Sequence, residues 1–156
     1  MGSKEFDYYI FIDYSESLIG YLIIEKQKFN ELLPKISRFR HYRNARNKKL
    51  YLKNIKNTIK RDNIESSFIK LKIKDMGKNM DIYLDIMEFI KKHRNCIIFV
   101  SVDNRQYVAF RKMVSMLDGD NIIIKQESEL IEGTPEYKVS LVLDNLLNIA
   151  RTNKIM

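Results

Sequence analysis

The amino-acid sequence predicts an α/β fold. Short β-branched and aromatic runs alternate with longer segments in which apolar residues recur every three or four positions. The last of these segments begins at Thr134-Pro135, where threonine suits a helix N-cap and proline the first helical position. With 156 residues, 45% of them hydrophobic, the chain has the length of one domain and enough apolar side chains for a core. We therefore expect residues 1–156 to form a single domain.

The first half of the chain contains three predicted strands and one helical stretch. Residues 7–13 and 20–25 are strand-like, and the polar turn between them predicts an antiparallel hairpin. Residues 29–63 change to helical spacing, with two apolar stripes. Lysines alternate with apolar residues over 67–74, which predicts a third strand with one solvated face. Residues 29–63 are thus a helical insertion after the second strand.

The second half alternates between helix and strand. Residues 80–90 and 106–117 carry helical apolar stripes. Residues 96–102 are a continuous apolar run, typical of a strand that is covered on both faces, and a short strand pattern follows at 122–125. Together with the last helix, the predicted order is β-β-(basic helices)-β-α-β-α-β-α.

The positive charge is concentrated in one part of the chain. The whole chain has 28 Lys and Arg against 20 Asp and Glu, a formal net charge of +8. Residues 35–61 contain eleven basic residues and no acidic one, so the rest of the chain is net negative. We expect this basic segment, residues 35–61, to bind the phosphates of DNA or RNA, although a solvated helix face would show the same charges. The candidate nucleic-acid-binding residues are Arg38, Arg40, Arg43, Arg46, Lys48, Lys49, Lys53 and Lys56.

Aromatic residues are interleaved with these cations. Phe39, Tyr42 and Tyr51 all lie within the basic segment. Single-strand binders stack bases on such rings, whereas rings at helical spacing also serve as core residues. Both interpretations remain open at this point.

Three aspartates stand at positions that suit a site on a sheet. Asp13 ends the first strand and Asp103 follows the apolar run at 96–102, and ligands of α/β sheets bind at the carboxyl ends of strands. Asp144 lies in an apolar stretch of the last helix, where a buried carboxylate needs a metal or a base as partner. Each also has an ordinary explanation: Asp13 as a loop residue, Asp103 as a helix cap and Asp144 as a solvent-facing residue.

Three short motifs carry a resemblance to a known family. They are Phe11-Ile12-Asp13-Tyr14-Ser15-Glu16-Ser17 followed by Gly20-Tyr21, Phe99-Val100-Ser101-Val102-Asp103, and Leu143-Asp144-Asn145-Leu146. In their order and spacing they resemble the ribonuclease H-like, or retroviral-integrase-like, superfamily, and its small Asp-rich members in particular. The resemblance implies a mixed sheet of order β-β-β-α-β-α-β-α, here with the basic helical insertion after the second strand.

The resemblance also implies a metal-dependent chemistry. Two divalent ions, Mg²⁺ or Mn²⁺, would clamp the attacking and leaving oxygens of a phosphodiester. Carried over by position, Asp13 would bind both ions, Asp103 one of them and Asp144 the other, with Glu16 as a weaker fourth ligand. The leading hypothesis is therefore a metal-dependent nuclease that acts on DNA or RNA.

Two other classes of function stay open. The same scaffold could bind nucleic acid without catalysis, or the chain could be a homo-oligomeric interaction protein that uses its Tyr-rich first strand or its insertion as the interface. Zinc, P-loop and α/β-hydrolase chemistry have no support, because the two histidines are far apart and the glycine motifs are missing.

The sequence predicts a cytoplasmic protein without a membrane partner. Its one cysteine, Cys96, cannot form an internal disulfide, and the N-terminal residues lack an apolar leader. No apolar run approaches the roughly 18 residues that a membrane-spanning helix needs.

Overall fold

The computed structural model describes residues 6–101, 104–116 and 122–154, which form an α/β fold around one mixed sheet. Short 3-10 turns connect several of the elements. The described strands are β1 (Tyr8–Ser15), β2 (Leu18–Glu25), β3 (Lys70–Asp75), β4 (Cys96–Val100) and β5 (Ile122–Gln126). The described helices are α1 (Phe29–Leu32), α2 (Lys48–Arg61), α3 (Asn79–Lys92), α4 (Asn104–Ser115) and α5 (Pro135–Lys154). The predicted α/β class and the predicted order of elements are confirmed.

The sheet has five strands in the order β3-β2-β1-β4-β5. β2 is antiparallel to both β1 and β3, whereas β4 is parallel to both β1 and β5. Ser15 pairs with Leu18, so a two-residue turn closes the predicted hairpin, and Glu16 occupies it with a φ of 52°. Because β1, β4 and β5 are parallel, their carboxyl ends lie at one edge of the sheet.

The two faces of the sheet bury two separate cores. Successive side chains of a strand point to opposite faces. Phe11 and Leu22 therefore pack against α5 and the apolar side chains of the insertion, whereas Ile10 and Tyr21 pack against α3 and α4. The insertion is thus part of the folded core, and it covers the same face of the sheet as α5.

Helix α5 lies close to the sheet because β2 offers a glycine beneath it. A Cβ atom added to Gly20 would lie 3.2 Å from Leu147 Cδ2 and 3.0 Å from Ile73 Cγ1. Real Cβ atoms rarely approach so closely, so any larger residue would force these side chains or the backbone of β3 to move by a few tenths of an ångström. Gly20 also pairs with Asp13 of β1, and the close approach therefore occurs next to the predicted site.

Two details differ from the predicted helices. The apolar stripe that begins at Phe29 is interrupted after Leu32, where a 3-10 turn containing Pro34 follows, because proline cannot donate a helical hydrogen bond. Phe39, at the end of that stripe, is only 6% exposed and belongs to the core, so it is not available to bases. In α4, Val108 lies within the apolar stripe predicted for residues 106–117 but is 62% exposed, so it does not belong to the core.

Within the described residues, no helix has both the length and the apolar character required to cross a bilayer.

Candidate active site

Asp13 is held at the end of β1 as a buried carboxylate. It is 8% exposed and lies on the face of the sheet that α5 covers. The backbone N–H of Tyr14 donates a 2.7 Å hydrogen bond to Asp13 Oδ1. No Lys, Arg or His among the described residues forms an ion pair with this carboxylate. Its described contacts are hydrogen bonds, from Tyr14 N–H and from the side chain of Ser101.

Asp144 reaches the same region from α5. It is also 8% exposed, and the backbone N–H of Tyr42 donates a 2.9 Å hydrogen bond to its Oδ2. The other oxygen, Oδ1, lies 3.6 Å from Nε2 of His41, which pairs with it electrostatically when the imidazole is protonated. A turn of the basic segment therefore contacts Asp144 directly.

The turn at His41 and Tyr42 is itself anchored to α5. Asn145 Nδ2 donates a 2.9 Å hydrogen bond to the backbone carbonyl of Arg40, and the Tyr51 hydroxyl donates a 2.9 Å bond to the same oxygen. The Tyr51 hydroxyl in turn accepts a 2.8 Å bond from Arg40 N–H. These contacts fix the backbone that presents the Tyr42 N–H to Asp144.

Burial makes ionisation of both carboxylates unfavourable and raises their pKa values. Burial raises the pKa of Asp13 well above its usual range, and the nearby charges of Glu127 and Asp144 raise it further. Burial likewise raises the pKa of Asp144, although the Tyr42 N–H, His41 and Arg43 act against that shift. Asp13 and Asp144, which we call the aspartate pair, are therefore close enough to interact. His41 and Arg43 partly offset the charge of Asp144, whereas no described cation pairs with Asp13.

A cavity of about 410 Å³ lies beside the aspartate pair; its lining includes Ser101 and His41, which contact Asp13 and Asp144, but neither aspartate itself. The carboxyl ends of β4 and β5, the start of α5 and the turn of the basic segment surround it. Its wall includes Ser101, whose side chain hydrogen bonds to Asp13, as well as Glu127, His41 and Arg43. The cavity thus brings acidic and basic side chains to the edge of the sheet where the parallel strands end.

The structure brings together two of the four predicted metal ligands. Asp13 and Asp144 interact as described above. Glu16 lies in the β1–β2 turn with its side chain 72% exposed, and its carboxylate is 3.7 Å from Arg151 Nη1, so it faces a cation instead of joining the pair. Asp103 lies outside the described residues.

The donor set of the aspartate pair fits a hard divalent cation. Mg²⁺ usually binds one or two protein carboxylates and completes its coordination with water and phosphate oxygens. One oxygen of each aspartate accepts a backbone hydrogen bond, so each carboxylate has a second oxygen that could bind a cation. At Asp144 that cation would take the place of His41 beside Oδ1. Within the described ranges, no three His, Cys, Asp or Glu side chains form a complete metal cage. A site of two carboxylates plus substrate is the arrangement that these residues support.

The basic segment forms an exposed surface beside this site. All eight candidate nucleic-acid-binding residues are exposed, and none of them pairs with a carboxylate in the part of the chain that is described. Grooves run along both sides of α2. Cations without acidic partners keep their charge available for a polyanion.

Sequence reasoning missed Glu127, His41 as a neighbour of Asp144, and the role of the Tyr42 backbone. Glu127 directly follows β5, so the rule that selected Asp13 and Asp103, a polar residue at the carboxyl end of a strand, would also have found it. The contacts of His41 and Tyr42 with Asp144 join residues about a hundred positions apart in the chain. No local pattern indicates such contacts.

Comparison with known proteins adds no family assignment: neither the models of protein families nor the curated protein sequences match this chain.

Proposed function

We propose that this protein is a metal-dependent nuclease with a ribonuclease H-like fold, which hydrolyses phosphodiester bonds of DNA or RNA. The observation that carries the proposal is the buried aspartate pair, which lies beside a cavity and an exposed basic surface. The order of strands and helices agrees with the arrangement that the sequence resemblance implies, and this agreement supports the proposal.

The residues of the site have distinct proposed roles. Asp13 and Asp144 hold the metal, with Asp103 as a further ligand proposed from the sequence. Mg²⁺ or Mn²⁺ supplies Lewis acidity toward the phosphodiester and activates water as a nucleophile. The N–H groups of Tyr14 and Tyr42 orient the two carboxylates before any ligand arrives, because each fixes one carboxylate oxygen.

The charges around the cavity suit a phosphodiester substrate. His41 and Arg43 line the cavity next to Asp144, so a phosphate there would meet positive charge beside the carboxylates. The exposed cations of α2 continue this positive surface away from the site. The strand is thus held by the basic segment while one of its phosphates lies at the aspartate pair.

A cleavage assay tests the proposal. Labelled single- and double-stranded DNA and RNA are incubated with the wild-type protein and Asp13→Asn, in Mg²⁺, in Mn²⁺ and in EDTA. We expect cleavage by the wild type that requires metal and is lost in the variant, which removes one ligand charge but keeps the shape of the side chain. Cleavage that persists in EDTA or in Asp13→Asn would overturn the proposed site.

A second candidate function is nucleic-acid binding without catalysis on the same scaffold. The eight exposed cations of the basic segment favour it, because they require no metal to bind phosphates. Salt-sensitive binding without cleavage in the same assay would select this alternative over the nuclease.

A further inference from the structure

The groove between α2 and the end of α5 has an apolar floor and a basic rim. Its volume is about 590 Å³. Leu52 of α2 is buried, Ile149 of α5 packs against the main core, and both line the groove together with Tyr42. The exposed rim carries four lysines, Lys48, Lys49, Lys53 and Lys56.

The rim lysines have their charges free for a ligand. Within the described ranges, none of the four forms an ion pair, and the only hydrogen bond that one of them makes joins Lys48 Nζ to the Ala45 carbonyl at 3.3 Å. The nearest acidic residues in sequence lie outside 35–61. The groove is therefore complementary to a ligand with a negatively charged backbone and apolar faces.

We propose that this groove binds an unpaired strand of nucleic acid, with its phosphates on the lysine rim and a base against Tyr42, Leu52 and Ile149. A duplex presents phosphates but stacks its base faces internally, so it cannot use an apolar floor. An unpaired strand offers both surfaces, which is the combination that single-strand binding proteins recognise. The inference rests on the proposed function, since it names the form of substrate that reaches the same site.

The position of Tyr42 connects the groove with the aspartate pair. Its side chain lines the groove, whereas its backbone N–H bonds to Asp144. Cations lie near its ring, with Lys48 Nζ 5.8 Å and the Arg151 guanidinium carbon 5.7 Å from the ring centroid. A strand in the groove therefore continues toward the site where it would be cut.

Binding is measured in EDTA, so that the result does not depend on catalysis. Fluorescence anisotropy compares single- and double-stranded oligonucleotides of DNA and of RNA. The groove variant is Lys49→Glu/Lys53→Glu. Its matched control is Lys91→Glu/Arg94→Glu, which reverses two exposed charges near the end of α3, on the other face of the sheet.

We expect tighter binding of single strands than of duplexes, and a loss of at least about tenfold in single-strand affinity for the groove variant only. The slope of log affinity against log salt should become shallower by about 1.4, or about 0.7 for each lost phosphate contact. Tyr42→Ala should weaken single-strand binding by about 5- to 150-fold, the range of one lost base stack, while Tyr42→Phe retains it.

Several results would overturn the groove assignment. Equal or tighter duplex binding, or equal losses in the groove and control variants, would contradict it while leaving a nucleic-acid function intact. Binding of an acidic peptide but of no oligonucleotide would assign the groove to a protein partner. Failure of the wild type to bind any of the four oligonucleotides would overturn the proposed function as well. Thermal unfolding of each variant checks that the folded state is retained.

Discussion

The two faces of the sheet differ in whether a carboxylate on them has a cationic partner. On the face covered by α3, Asp85 accepts hydrogen bonds from Lys72 Nζ at 2.8 Å and from the Tyr21 hydroxyl at 3.2 Å, and the lysine lowers its pKa. On the face covered by α5, Asp13 has no such cation among the described residues, and burial raises its pKa. The negative charge of Asp85 is thus balanced by Lys72, whereas no described cation balances that of Asp13.

This difference separates a structural acid from a functional one. Burial of a carboxylate without a partner destabilises the folded state, because the charged form loses its hydration. Proteins keep buried carboxylates of this kind where a ligand stabilises them, and one divalent cation can neutralise two carboxylates. We therefore propose Asp13 and Asp144 as the site, whereas Asp85 stabilises the packing of α3 on β2 and β3.

The largest expected effect is on cleavage. Asp144→Asn should reduce metal-dependent cleavage by more than about 100-fold, since even the outer partners of metal ligands affect metal affinity or activity by about 10- to 100-fold. Asp85→Asn, the same chemical change on the other face, should leave the rate nearly unchanged. Initial rates on one labelled substrate measure both. If both variants lost cleavage activity equally, the acids on the two faces would not differ in function.

The second expected effect is on stability at neutral pH without metal. Asp13→Asn should raise the melting temperature because asparagine does not ionise, so the unfolded chain no longer gains from ionising a carboxyl that the fold keeps from doing so, and each kcal/mol gained should raise it by about 2 to 4 °C. Asp85→Asn should lower the melting temperature slightly, since partly exposed ion pairs contribute little. Thermal unfolding in EDTA measures both shifts. A lower melting temperature for Asp13→Asn would show that the charge is compensated after all.

A smaller effect is expected in how the melting temperatures of these two variants, relative to the wild type, depend on pH. Because the pKa of Asp13 is raised, its ionisation costs stability as pH rises above the ordinary value of 3.8, so the advantage of Asp13→Asn should grow from about pH 4 toward neutral. Because the pKa of Asp85 is lowered, its stabilising contribution is present above 3.8 and lost as pH falls further. Melting curves across this range test both signs, which should be opposite.

The sheet and its two faces could be predicted because they follow local periodicity. The alternation of lysines and apolar residues in β3 and the continuous apolar run of β4 both indicate which sides are buried. The N-cap of α5 was also predictable, and Thr134 Oγ1 accepts a 3.3 Å hydrogen bond from Tyr137 N–H. These features depend on neighbours in the sequence.

The site was predictable only in part, because its contacts span the chain. Asp13 and Asp144 stood out as a polar strand end and as an acid among apolar residues. Their connection to His41 and Tyr42 depends on how the insertion folds back over α5, which Pro34 alters by ending the first helical stretch early. Long-range packing of this kind leaves no periodic signal in the sequence.

Metal titration distinguishes a metal site from a cluster of structural acids. Mg²⁺ and Mn²⁺ are titrated calorimetrically into the wild type, Asp13→Asn and Asp85→Asn in the absence of nucleic acid. If the aspartate pair forms the metal site, the wild type and Asp85→Asn bind with similar affinity, and Asp13→Asn binds at least about tenfold more weakly. Equal binding by Asp13→Asn and the wild type would show that Asp13 is not a metal ligand.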